Sequence, residues 1–218
     1  AAERDRMIKL GTHEKPRTEV IPSKRGEIYK NVALILVQQG KSKEAQQAIA
    51  DARTANPEDT SLALTEANLY LGAKDYDTYK KLVADILVKN PNDADLVFNL
   101  GVISANAKNN VDAEKYYNRV IEINPAYTNA YINIAALKLE NEKPIIDEMN
   151  KLGTSTNDMK RYDVLKKKRE ELFKSTIPFL KKAVELDPKN IDVAKTLMNV
   201  YSALEMTAEY KELKAKIQ

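Results

Sequence analysis

The chain has 218 residues, 43% of them apolar and 31% charged, which suits one or two folded domains and excludes a disordered tail. Its six glycines lie no closer than 14 residues apart, so no GxGxxG, GxxxxGK[ST] or GxSxG loop exists, and with no cysteine and one histidine there is no thiol nucleophile, thiolate metal site or HExxH. A net charge of +3, spread along the chain, is too mild to hold nucleic acid by phosphate neutralisation alone, and the longest apolar run, Val32 to Val37, is far short of the roughly 20 residues that cross a bilayer.

Taken in order, residues 1–25 offer a short helical stretch, Glu3 to Leu10, and then a polar loop with Gly11, Pro16 and Pro22. Such a stretch reads as the remnant of an earlier helix pair plus a connector, and a start at Ala1-Ala2-Glu3-Arg4 reads as a mature or trimmed end. His13 lies in this loop beside Thr12 and Glu14 and reads as a surface residue, not a base or ligand. Beyond the loop, Pro57, Pro91 and Pro125 recur every 34 residues, and Pro188 follows after 63. Asn56, Asn90, Asn124 and Asp187 precede them, and the proline ring pushes each out of the helical region, so these are helix stops. The prolines cut the chain into segments 26–59, 60–93, 94–127, an interrupted 128–190 and a partial 191–218. The 29 surplus residues fall around Lys143 to Glu171. Ile145, Ile146, Met149 and Leu152 extend one helix past Pro144, a kink or restart. Residues 153–157 form a tip with N-cap residues, and Met159, Tyr162, Leu165, Leu172 and Phe173 line the return helix. The expected product is a projecting helical hairpin. Within it, Lys166-Lys167-Lys168-Arg169 resembles a basic patch or localisation signal that would bind nucleic acid or acidic lipid, but no aromatic platform or broad basic excess supports that, and Asp163, Glu170 and Glu171 stand at helical pairing spacing, so the simpler reading is a solvated, internally paired face.

This pattern resembles the tetratricopeptide repeat family, in its bacterial form with a helical insertion in the fourth repeat. The family's unit is an antiparallel helix pair, A then B, with small residues at positions 8, 20 and 27 and proline at 32. Position 8 here reads Ala33, Ala67, Gly101, Ala135 and Met198; position 20 reads Ala45, Tyr79, Ala113, Thr176 and Tyr210; position 27 reads Ala52, Ile86, Val120, Ala183 and Ile217. Apolar residues between them, Val32, Leu100, Ile134 and Leu197 at position 7 and Ile49, Val83, Tyr117 and Leu180 at 24, are the expected core. Glu66 at position 7, Tyr79 and Tyr210 at 20, Met198 at 8 and Lys214 at 24 depart from the pattern. The resemblance implies an all-α fold, a right-handed α-solenoid of stacked antiparallel helix pairs, which is stabilised only as a stack. A helices are expected near 26–39, 60–73, 94–107, 127–150 and 191–204, and B helices near 42–55, 76–89, 110–123, 157–186 and 207–217.

In such repeats the concave wall is lined by A-helix positions 2, 5, 6, 9, 12 and 13. The resemblance therefore implies a groove with an apolar stripe, Leu64, Phe98, Val102 and Ile132, flanked by Asn68, Asn99, Asn129 and Asn133. Asparagine both donates and accepts, so such a row suits an extended backbone while the stripe takes alternate side chains. The family's clamp for C-terminal carboxylates is disfavoured. Its register would use Lys30, Leu34, Thr65, Asp95 and Asn99, or Leu64, Asn68, Asn99, Asn129 and Asn133, with an acid or no cation where charge-assisted donors belong. The expected function is a non-catalytic scaffold that binds an unidentified protein or peptide, with no cofactor, metal or nucleic acid. The alternatives are self-assembly through the stack ends or the hairpin, the charged terminal helix serving as a cap, and, more remotely, an enzyme using carboxylates for acid-base work. Resemblance to exported bacterial repeat proteins slightly favours the periplasm or another exported compartment over the cytoplasm.

Overall fold

The computed structural model describes residues 2–11, 25–56 and 59–217; His13, Pro16, Pro22 and Pro57 lie outside the described residues. Twelve α-helices and no strand occur among them: α1 (Ala2–Lys9), α2 (Arg25–Gln38), α3 (Ser42–Ala55), α4 (Thr60–Gly72), α5 (Tyr76–Lys89), α6 (Ala94–Asn106), α7 (Asn110–Ile123), α8 (Thr128–Leu139), α9 (Glu142–Met149), α10 (Thr156–Leu186), α11 (Ile191–Ala203) and α12 (Thr207–Lys216). They form two compact units, Ala1–Leu82 and Val83–Gln218.

Two local devices recur and explain why the elements fall where they do. After the proline stop comes a capping residue for the next A helix. Asp59 accepts from the Ser61 amide, Asp93 from Leu96 and Asn190 from Val193, each satisfying a donor at a helix N-terminus. The second device is the turn from A to B. Gly40, Lys74, Lys108 and Glu205 all sit at positive φ, between 58° and 75°, at the same place in their repeats. Each turn closes with paired amide bonds back into the A helix, such as Lys108 N to Ala105 O at 2.9 Å and Asn109 N to Ser104 O at 2.9 Å. This is the left-handed C-terminal cap, and only the first repeat meets it with glycine.

Core positions follow the small-and-large pattern. Ala33, Ala67, Ala135, Ala45, Ala113, Ala52 and Ala183 are all shielded from solvent, with Ile49, Val83, Val120, Ile134 and Leu180 packed among them. Gly101 marks a close approach of backbone to side chain in the second unit. A Cβ there would stand 2.5 Å from Cε1 and 2.7 Å from Cδ1 of Tyr117, so the α6 backbone lies directly against that ring. The departures have specific solutions. Glu66, buried on α4, is ion-paired with Arg53 of α3. Tyr79 and Thr176 are wholly buried, and the Thr176 hydroxyl donates to Phe173 O at 2.7 Å. Val32 is the exception among the position-7 residues. With Ile28 and Ile35 it makes a solvent-exposed stripe on α2, whereas the equivalents on α6, Leu96, Leu100 and Ile103, are buried.

The expected long A helix at 127–150 is two helices. α8 ends at Leu139, and α9 begins at Glu142 with Pro144 in its first turn, where a missing amide costs nothing. α10 then runs for 31 residues, capped by Ser155, whose hydroxyl accepts from the Asp158 amide at 3.1 Å. It contains Pro178 without ending there. α9 and the first half of α10 are tied by Arg161 to Glu148 at 2.6 Å and by Arg169 to Glu142 at 2.8 and 2.6 Å. The Arg169 guanidinium also lies 4.8 Å from the Phe173 ring centroid.

Candidate interaction surface on the A helices

The expected groove residues are carried by α4 in the first unit and by α6 and α8 in the second. On α4, Leu64 is half-buried and Asn68 exposed. On α6 and α8, Phe98, Val102 and Ile132 are half-buried and pack against the core beneath them, and Asn99 and Asn133 are half-buried while Asn129 is exposed.

Phe98 is the hub of an aromatic cluster. Its ring centroid lies 5.5 Å from that of Tyr117 on α7 and 5.0 Å from that of Tyr127, the residue preceding α8, both tilted. The Tyr127 hydroxyl donates to Asp95 Oδ1 at 2.8 Å, joining the start of α8 to the first turn of α6. Burial, reinforced by that hydrogen bond and by the charges of Asp95 and Asp93, pushes the Tyr127 phenol up to about 12. Burial likewise raises Tyr117, opposed by the hydrogen bond from Asn133. Tyr131 finishes the arrangement by donating to Pro125 O at 3.0 Å.

These contacts divide the candidate residues by role. Asn133 is engaged by Tyr117, and Phe98 is wedged between two rings, so both have structural duties. Asn68, Asn99 and Asn129 make no hydrogen bond among the described residues, which leaves their amides available to a ligand. Sequence reasoning did not single out Tyr117 and Tyr127 as supports of this surface; they come from α7 and from the residue before α8, and meet Phe98 only once the helices are paired in space.

A family model for the tetratricopeptide repeat matches residues 64–128, which span α4 to the start of α8. Those residues carry the match to the tetratricopeptide repeat family. Solved structures similar to it include the RS-1 ArsTM double mutant of MamA (17% identity, TM-score 0.59, covering 90% of this chain and 94% of the other). A crystal structure of MamA is similar at 15% identity and TM-score 0.58, covering 89% and 90%. MamA 41-end from Desulfovibrio magneticus RS-1 is similar at 18% identity and TM-score 0.57, covering 89% and 98%. At these identities the likeness is one of fold, an all-α array of helix pairs. A sequence comparison with curated proteins returns no match.

Proposed function

We propose that this chain is a non-catalytic interaction scaffold, and that the α6–α8 face binds an extended segment of another protein. The observation that carries the reading is the pairing of unengaged amides, Asn99 and Asn129, with the half-buried apolar surface of Phe98, Val102 and Ile132. A peptide laid across α6 and α8 would hydrogen-bond its backbone to the amides and seat alternate side chains on the apolar strip. Leu64 and Asn68, in the first unit, hold the equivalent register positions on α4. Peptides selected from a random display library on the intact chain test this. Asn99→Arg with Asn129→Arg should abolish their binding while leaving the thermal midpoint within a degree or two, because neither amide is used internally. Undiminished binding by that variant would rule the face out.

A second reading, self-assembly through the end of the repeat array, is favoured by the exposed stripe Ile28, Val32 and Ile35 on α2. These repeat positions are buried in α6, and large apolar patches on a surface mark contact sites. Light scattering over a concentration series, with Val32→Lys as control, separates the two readings. A mass that stays monomeric throughout removes the second.

A further inference from the structure

The distal half of the α9–α10 hairpin departs from the internally paired face that its sequence suggests. Seven cations, Lys151, Lys160, Arg161, Lys166, Lys167, Lys168 and Arg169, lie between residues 149 and 169, against only Asp158 and Asp163. Both arginines are spent inside the hairpin, on Glu148 and Glu142. Asp158 is occupied by the Ser155 hydroxyl at 2.7 Å. The five lysines are exposed and form no ion pair among the described residues, and neither Asp163, Glu170 nor Glu171 joins them. Large apolar side chains stand exposed on the same stretch of α10: Met159 is 59% exposed and Tyr162 46% on one flank, and Val164 55% on the other. Met159 and Tyr162 share a shallow cleft with Met149, Leu152, Gly153 and one carboxylate, Asp163, at the tip, and Lys166 follows one turn later on the same flank of α10.

We propose that this hairpin tip docks on an anionic lipid bilayer. Apolar and phenolic side chains ringed by cations are the composition of an interfacial helix, in which the apolar groups enter the headgroup boundary and the cations meet lipid charge. The identity of the cations chooses the bilayer over a folded acidic partner. Lysine is a mobile point charge suited to a diffuse anionic sheet, whereas the arginines, which recognise individual carboxylates or phosphates in a fixed fork, all face inward. A single tyrosine without a stacking neighbour is no platform for nucleic acid bases. The proposal is independent of the groove on α6 and α8, which uses other helices.

The test is co-sedimentation of the full chain with vesicles of 70:30 phosphatidylcholine and phosphatidylglycerol, and with pure phosphatidylcholine. Binding is expected to the first alone, falling steeply with salt, and dropping by about a hundredfold or more in the triple variant Lys166→Glu, Lys167→Glu, Lys168→Glu. The chain lacks tryptophan, so Met159→Trp supplies a probe whose emission should shift to the blue on anionic vesicles but not on polyglutamate or RNA of equal charge. That probe carries the test by itself if the triple variant fails to fold. Equal binding to both vesicle types, or binding to polyglutamate or RNA with no blue shift on vesicles, overturns the proposal.

Discussion

Replacing Gly101 by alanine sets two known effects against each other at one atom. An alanine in a helix interior is worth about 1 kcal/mol over glycine, so an open site would gain stability. Here the new methyl would lie 2.5 Å from Tyr117 Cε1, against ordinary contacts of 3.4–4 Å, an encroachment on the ring itself and not on a flexible end. The ring is confined, because Tyr117 is buried with Phe98 packed against it. Overpacking of this kind costs about 1–3 kcal/mol, so Gly101→Ala should lose about 1–2 kcal/mol net and lower the melting midpoint by a few degrees. Urea unfolding followed by far-ultraviolet circular dichroism measures it. Adding Tyr117→Leu removes the ring, and in that background Gly101→Ala should be neutral or stabilising. If Gly101→Ala alone raised stability by about 1 kcal/mol, the close approach of α6 to Tyr117 would be wrong.

Other perturbations follow from the same contacts. Lys74→Gly, Lys108→Gly and Glu205→Gly should each stabilise by about 0.5–1 kcal/mol in denaturant titrations, since each relieves a left-handed residue at a helix end. Pro178→Ala should raise stability by about 1–3 kcal/mol in urea unfolding, by restoring an amide donor within α10. Arg53→Ala should destabilise more than the double change Arg53→Ala with Glu66→Leu, because the single change strands a buried carboxylate. The Tyr127 phenol is raised in the folded protein, so its stabilising contribution is complete below about pH 10 and is lost as pH climbs towards 12. Burial also raises Tyr117 and Tyr201, so phenolate absorbance should show a late component that Tyr127→Phe diminishes without abolishing.

Much of the fold was legible because its punctuation is chemical. The prolines end the B helices, Asp59, Asp93 and Asn190 cap the A helices that follow, and the alanines at positions 8 and 20 mark where backbones meet. The helix limits agree with the sequence reading to within a residue or two except at Glu140 and Asn141, where α8 stops and α9 restarts. Helical periodicity runs on through that break, and only Pro144, read as a kink or restart, points to it. Proline as a stop signal also has an exception at Pro178, since packing of Thr176 and Leu180 on both sides holds α10 together across it. For the candidate surface the sequence supplied a register and not the contacts. Register places Phe98 and Asn133 there, but only the paired helices reveal that Tyr117 and Tyr127 clasp the one and Tyr117 engages the other. In the same way, charge spacing along α10 suggested pairs with Asp163, Glu170 and Glu171, whereas the arginines reach across to α9 and leave the lysines open.

The claim that a partner segment lies across α6 and α8 is tested most directly by the side-chain amide resonances of Asn99 and Asn129 in the isotope-labelled chain. Titration with a selected peptide should shift both, together with the methyls of Val102 and Ile132, while the lysine-bearing tip of α10 stays still. Shifts confined to α7, α10 or α12 with the two asparagines unmoved would place the binding surface elsewhere.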